Sequence, residues 1–220
     1  MVDFEQARRT MVDTQLRTNN IVDRRVLHAF GIVPRELFVP ESRRQIAYID
    51  DPQPLTDGLR PRLLPPAPPV ARLLQLAGAE SGESVLHVGC GTGYTTAILA
   101  HLAAKVVGVD SNPDLVAKAR EALGTLGLAN ASIVEGPFNE GHEAEAPYDL
   151  IVVEGSVEVV PQSLFDQLKD RGRLVALIRS GGTATAHVYF RTGSEIASKT
   201  DFNAMLPPLE VFKREDVFVF

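Results

Sequence analysis

The run Val85-Leu-His-Val-Gly-Cys-Gly-Thr-Gly-Tyr94 passes from a short apolar segment into three glycines within five residues, and its reading decides the fold. A continuous apolar run that ends in a turn signal reads as a buried strand, Val85–Val88. Thr95 to Leu102 is helical in pattern, and Lys105-Val-Val-Gly-Val-Asp110 is a second apolar strand. Ser111-Asn112-Pro113 then opens a helix with a capping residue and a proline at the first helical position. Leu115, Ala119, Ala122 and Leu126 make its apolar face, and Gly127 suits its C-terminal cap. Ala131–Glu135, Tyr148–Val153 and Arg173–Ile178 supply three further strands, with Leu164–Leu168 the core of a short helix before the last. Apolar strands alternating with amphipathic helices imply a parallel sheet covered on both faces. From Ala184 the pattern turns to antiparallel strands, ending in the alternating Val217-Phe-Val-Phe220. The expected class is α/β, a doubly wound, mostly parallel sheet with antiparallel C-terminal strands.

Upstream of this core the chain is helical and charged. Phe4, Ala7, Met11 and Leu16 recur at roughly helical spacing, and Val22–Phe30 reads as a second helix. The pattern collapses into a proline-rich loop from Asp51 to Pro69, and a third helix is expected over Val70–Ala77, ending at Gly78. At 220 residues the chain is the size of one domain. The expected division is a helical cap and substrate-loop region over residues 1–80 and a cofactor-binding core over residues 81–220.

Composition excludes several classes. Hydrophobic residues at 45% and charged residues at 23% are ordinary for a globular protein, not for a disordered, collagen-like or disulfide-stapled chain. Lys+Arg number 22 against 28 Asp+Glu, a formal charge of −6, which argues against a general nucleic-acid binder. A single cysteine, Cys90, forms no intrachain disulfide and points to a reducing, cytoplasmic compartment. The longest stretch without charge, Ser84 to Ala104, is interrupted by glycines and hydroxyls, so no membrane span is expected. His28, His101 and His142 show no metal-ligand spacing, and no metal site is expected.

A glycine turn between strand and helix lets a ligand approach the backbone, with amide N–H groups aimed at it. Asp110, at the end of the next strand, is placed to accept hydrogen bonds from both ribose hydroxyls of an adenosine-containing ligand. Dinucleotide sites carry Gly-x-Gly-x-x-Gly, whereas this loop is the shorter Gly89-x-Gly91-x-Gly93. The shorter form resembles motif I of class I S-adenosylmethionine (SAM) methyltransferases.

The resemblance narrows further. Met11–Arg17, Ile21–Phe30 and Val33-Pro-Arg-Glu-Leu-Phe-Val-Pro40 are similar to the N-terminal region of protein-L-isoaspartate O-methyltransferases. So are Val85–Ala100, Tyr148–Val153 and Gln167–Val175, in the family's order. The resemblance implies methyl transfer from SAM, with S-adenosylhomocysteine (SAH) as product, to the free carboxylate of an isoaspartyl residue in a protein or peptide. It implies cofactor contacts from His87, Gly89, Cys90, Gly91, Gly93, Asp110, Ser111, Phe138 and Glu154. A carboxylate is already anionic at neutral pH, so the reaction requires no general base.

Three departures from the family pattern stand out. The family's Gly-Gln-Thr-Ile-Ser run, whose serine lies at the acceptor, has no counterpart. Its serine maps to Pro65 counting back from the glycine loop and near Arg62 counting forward from Asp51-Pro52, and no Ser, Thr, Tyr or Cys occurs between Asp57 and Glu80. Arg60 and Arg62 are the candidates for binding an acidic substrate there. His87 stands where the family has a glutamate that orients the methionine end of SAM. The family's Gly-Asp-Gly after the third strand is Gly136-Pro137-Phe138, with Phe138 a candidate for the adenine ring. Glu154, Ser156 and Ser180 follow strand ends, and Glu154 and Ser180 are the catalytic candidates. Cys90 reads as a small residue inside a turn, and Tyr94 as a border of the cofactor pocket or a packing residue. Two alternatives stay open: a homologue that methylates a different carboxylate, and a non-catalytic SAM-binding protein.

Overall fold

A computed structural model describes residues 2–209 and residue 212. Strands β3 (Ser84–Val88), β4 (Lys105–Asp110), β5 (Ala131–Glu135), β6 (Tyr148–Val157), β7 (Leu168–Ser180), β8 (Thr183–Thr192) and β9 (Glu195–Asn203) form one sheet, ordered β5-β4-β3-β6-β7-β8-β9. The first five pair in parallel, and β7, β8 and β9 form an antiparallel meander at one edge. Because the order reverses beside β3, the loops at the carboxyl ends of β3, β4 and β6 converge on one crevice.

Side chains alternate between two cores across the sheet, as the two-residue period of a strand requires. Val85, Val106, Leu150, Val152 and Val175 face one core, shared with Met11, Leu16, Phe30, Leu74, Ile98 and Leu115. Leu86, Val107, Ile151, Val153 and Leu174 face the other, shared with Phe138, Leu164, Phe165 and Leu209. The first face is therefore covered by α1 (Phe4–Met11), α2 (Arg24–Ile32), α3 (Ala67–Ala77), α4 (Tyr94–Ala100) and α5 (Pro113–Thr125). The second is covered by the short α6 (Gln162–Asp166), Phe138 and the C-terminal segment.

Several boundaries differ from the expectation. Helix α3 begins at Ala67, so Pro68 and Pro69 belong to its first turn and not to the loop. The first four N–H groups of a helix lack intrahelical partners, so proline loses nothing there. Helix α1 ends at Met11 and runs on through a wide turn, Val12–Leu16, and a tight one, Arg17–Asn19, to Asn20 at φ 61°. The short helix occupies Gln162–Asp166, not Leu164–Leu168, because β7 already starts at Leu168. Strand β7 reaches Ser180 because its ladder to β8 extends past the apolar run. Val217–Phe220 lies outside the described residues.

A half-buried ion pair ties the start of β3 to β7. Arg173 meets Glu83 through two bonds, 2.7 and 2.9 Å, and also donates to the Ala77 and Gly78 carbonyls at the end of α3. Burial alone pushes the Glu83 carboxyl up, but Arg173 and the Glu80 N–H outweigh it and hold its pKa below the ordinary value of 4.5. A carboxyl depressed in the folded state contributes stability above its unfolded pKa and loses it as pH falls through the folded one. In urea titrations at pH 7 and pH 3, Glu83→Gln should lose less stability between the two pH values than the parent. An identical loss in both would remove Glu83 from the acid response.

Candidate active site

The crevice at the carboxyl edge opens into a cavity of about 620 Å³. The glycine loop forms its floor. Gly89 sits at φ +83°, and a Cβ there would lie 3.0 Å from the Glu154 carbonyl oxygen, so only glycine fits between β3 and β6. Gly93 is the N-cap of α4 at φ +89°, and a Cβ there would come 3.1 Å from Ala119 on α5. The loop is pinned to the N-terminal cap by the Thr92 hydroxyl, which donates to the Phe38 carbonyl at 2.6 Å.

Asp110 is fully buried at the end of β4. Its Oδ2 accepts the Gly91 N–H at 2.8 Å and its Oδ1 accepts the Asn112 N–H at 3.1 Å. The Arg62 guanidinium takes both oxygens as well, at 3.3 and 2.9 Å, and its Cζ lies 5.2 Å from the Phe138 ring centroid. Asp110, Arg62 and Phe138, taken separately from the sequence, therefore form one cluster.

The opposite side of the cavity holds Glu154, 7% exposed, at the carboxyl side of β6. Its Oε2 lies 3.4 Å from Nε2 of the fully buried His87, and neither atom has a hydrogen-bond partner among the described residues. Nδ1 of His87 is engaged with the Thr96 hydroxyl at 2.8 Å. That leaves a buried carboxylate oxygen available to a cation, an arrangement costly unless something binds it.

The roof comes from the replaced loop. β1 (Gln53–Pro54) and β2 (Leu63–Leu64) pair antiparallel, and the hairpin between them is closed where Leu55 N–H donates to the Arg62 carbonyl at 2.8 Å. The buried Arg35 anchors its far end, donating to the Pro65 carbonyl at 2.6 Å and the Ala47 carbonyl at 2.7 Å. Arg60, Arg62, Leu64, Pro65 and Leu209 line the cavity from above. Among the described lining residues Ser111 carries the one hydroxyl, and it sits on the Asp110 side.

Other candidates are placed elsewhere. Ser180 ends β7 in an exposed hairpin and is not among the lining residues, because β7 continues well past the cavity. The Ser156 hydroxyl is spent on the Leu206 carbonyl at 2.9 Å, holding the C-terminal segment against β6. Burial first, then Asp110 and Glu154, push the Cys90 thiol well above its ordinary pKa, so it stays protonated and serves as a small residue. Tyr94 packs edge-on against Phe30 and Phe38, away from the cavity. The roles of Leu55, Pro207, Pro208 and Leu209 as walls had no sequence signal, since none belongs to a motif. Among the described residues no His, Cys, Asp or Glu cluster could hold a metal ion.

Comparison with known proteins identifies the family. Residues 6–210 match the family model described as Protein-L-isoaspartate(D-aspartate) O-methyltransferase (PCMT). The chain is 43% identical over 171 residues to protein-L-isoaspartate O-methyltransferase 2 of Anaeromyxobacter sp., covering 78% of this chain and 69% of that one. It is 42% identical over 169 residues to the protein-L-isoaspartate O-methyltransferase of Methanoculleus marisnigri, covering 77% and 76%. A solved protein-L-isoaspartate O-methyltransferase superposes with a TM-score of 0.80 at 24% identity, covering 91% of this chain and 65% of that longer one. A Plasmodium falciparum structure described as a protein-L-isoaspartate O-methyltransferase in complex with SAH superposes at 0.77 and 22% identity, covering 92% and 97%. Those two likenesses establish the shared fold. Together with the matched family model and the curated relatives, they lead to one conclusion: the chain belongs to the protein-L-isoaspartate(D-aspartate) O-methyltransferase family.

Proposed function

We propose that this chain is a SAM-dependent carboxyl O-methyltransferase that acts, as a single unit of residues 1–220, on the free carboxylate of an isoaspartyl residue in a protein or peptide. The observation that carries the reading is the pairing of a glycine-loop floor and buried Asp110 with a second buried carboxylate, Glu154, across one cavity. These residues fit SAM. Asp110 would accept from the ribose hydroxyls, and Phe138 and Ser111 would border the nucleoside. The Glu154 oxygen that lacks a hydrogen bond suits the cationic amino end. It thereby takes over from the acid that His87 replaces, while Gly89, Cys90, Gly91 and Gly93 carry the backbone past the ligand.

When bound, SAM would supply an electrophilic methyl group for an acceptor carboxylate oxygen, with the thioether of SAH as the leaving group. What remains for the protein is to align the two and exclude water. Leu55, Leu64, Pro65 and Leu209 supply the dry wall, and Arg60 supplies positive charge at the rim for an anionic acceptor. No helix of the described residues is long and apolar enough to cross a membrane. A cytoplasmic setting without nucleic-acid or membrane partners is supported by the acidic balance of charges and the buried free Cys90.

The test is methyl transfer from labelled SAM to an isoaspartyl peptide and to its aspartyl twin. Label on the isoaspartyl peptide alone is expected. Equal label on both, or none, would discard isoaspartyl selectivity. A second reading, a family member acting on a different carboxylate, is favoured by the absence of a hydroxyl from the Leu64–Pro65 side of the lining.

A further inference from the structure

The acceptor capacity of Asp110 is already full. A carboxylate offers about four lone-pair sites. Here the Gly91 and Asn112 N–H groups take one on each oxygen, and the Arg62 guanidinium takes one more on each. The two backbone donors belong to the glycine loop and the start of α5 and are fixed by the fold. Only the pair held by Arg62 can be given up to two ribose hydroxyls. The same guanidinium lies over Phe138, so it covers the flank where an adenine would rest.

Arg62 can leave without unfolding the hairpin. Its carbonyl is held by the Leu55 N–H and its own N–H by the Thr56 hydroxyl at 2.9 Å, so the backbone is clamped on both sides. The side chain is 28% exposed and reaches Asp110 from that fixed base. A rotation about its side-chain bonds suffices.

Charge decides where it goes. The cavity is lined by one carboxylate, Glu154, and two guanidiniums, Arg60 and Arg62, with the second carboxylate, Asp110, buried behind Arg62. A SAM molecule carries a sulfonium, an ammonium and a carboxylate, a net charge of +1. With the ribose on Asp110 and the ammonium on Glu154, both buried acids are engaged and Arg62 has lost its partner. The cavity then carries a net positive charge, which an anionic acceptor cancels. After transfer both the ester and the thioether are uncharged at the reacting atoms, so that attraction ends.

Resting on the SAM reading above, we propose that Arg62 is a displaceable acceptor-binding residue. It stands in for the ribose on Asp110, is released when the cofactor binds, and then pairs with the acceptor carboxylate. Cofactor binding therefore creates the acceptor site, and the two affinities are coupled reciprocally.

Calorimetry on the full chain separates this from a structural role, using SAH and an isoaspartyl peptide as probes. Arg62→Gln should bind SAH about tenfold more tightly than the parent, because the two charge-assisted bonds no longer compete. Arg62→Lys retains the charge but not the fork, and should fall between them. In the parent, saturating SAH should raise affinity for the peptide several-fold, and Arg62→Gln should abolish that gain. A structural ion pair would instead make SAH binding weaker, or leave it unchanged, when Arg62 is lost, and either result overturns the proposal while sparing the cofactor. Tighter SAH binding with the peptide gain intact in Arg62→Gln would overturn the acceptor half. Absence of SAH binding in the parent and both variants would overturn the cofactor reading, and this proposal with it.

Discussion

Isoaspartyl turnover by this protein is expected to be about a hundred- to a thousandfold slower than that of a family member whose loop carries a hydroxyl at the acceptor, the usual worth of one oriented hydrogen bond at a reaction centre. The residues that roof the cavity between Pro61 and Pro65 are proline, arginine and leucine, and none can donate a neutral hydrogen bond from its side chain. The hydroxyl of Ser111 is on the Asp110 side of the cavity, and that of Ser156 is committed to the Leu206 carbonyl. Cofactor affinity should be unaffected by this particular loss, because the glycine loop and Asp110 are separate from it.

The structure indicates where to restore the group. Pro65 lines the cavity, and its carbonyl is fixed by Arg35 at 2.6 Å. Pro65→Ser would install a hydroxyl there and leave both Arg62 and the Arg35 anchor in place. Exchanging Pro61–Pro65 for Gly-Gln-Thr-Ile-Ser also removes Arg62, and so mixes two effects. Initial rates with labelled SAM and an isoaspartyl peptide should rise in Pro65→Ser, with kcat moving more than KM. Full family-level turnover in the parent would show that the loop is only a spacer and that the acceptor is held by another group. Inactivity in both proteins with intact SAH binding would favour a different carboxylate or a non-catalytic role.

The central sheet and the floor of the site were legible because their signals are local. Val85–Val88 and Lys105–Asp110 are apolar runs, the glycine spacing lies within five residues, and Asp110 ends its own strand. Four features were not legible, each for a physical reason. The start of α3 at Ala67 was masked by Pro68 and Pro69, which break a helix everywhere except in its first turn. The long β7–β8 hairpin took Ser180 away from the cavity, and hairpin length is set by pairing across the turn rather than by the strand's own apolar run. Arg62 and Asp110 are 48 positions apart, one in a proline-rich loop without periodicity. Both were candidates, but for opposite ends of the reaction, and only the folded hairpin makes them one unit. Likewise His87 and Glu154 lie on adjacent strands, where their pairing depends on the register of β3 against β6.

Asp110 should dominate cofactor affinity, yet by an amount that depends on Arg62. Each charge-assisted bond to a ribose hydroxyl is worth roughly 1.5–3 kcal/mol. That is about a ten- to hundredfold change in affinity per bond. In the parent this gain is offset by the loss of the Arg62 bonds, so Asp110→Ala should weaken SAH binding by less than the bonds themselves imply. Placed on an Arg62→Gln background, the same substitution should cost more, by the factor with which Arg62→Gln alone tightens binding. In turn, Arg62→Gln should change SAH affinity only while Asp110 is present, since without the carboxylate there is nothing to compete for. Four calorimetric titrations close this cycle. Unchanged binding in Asp110→Ala would remove Asp110 from the site. Equal losses in both backgrounds would show that the guanidinium and the ribose occupy Asp110 independently, which the four filled acceptor sites do not allow.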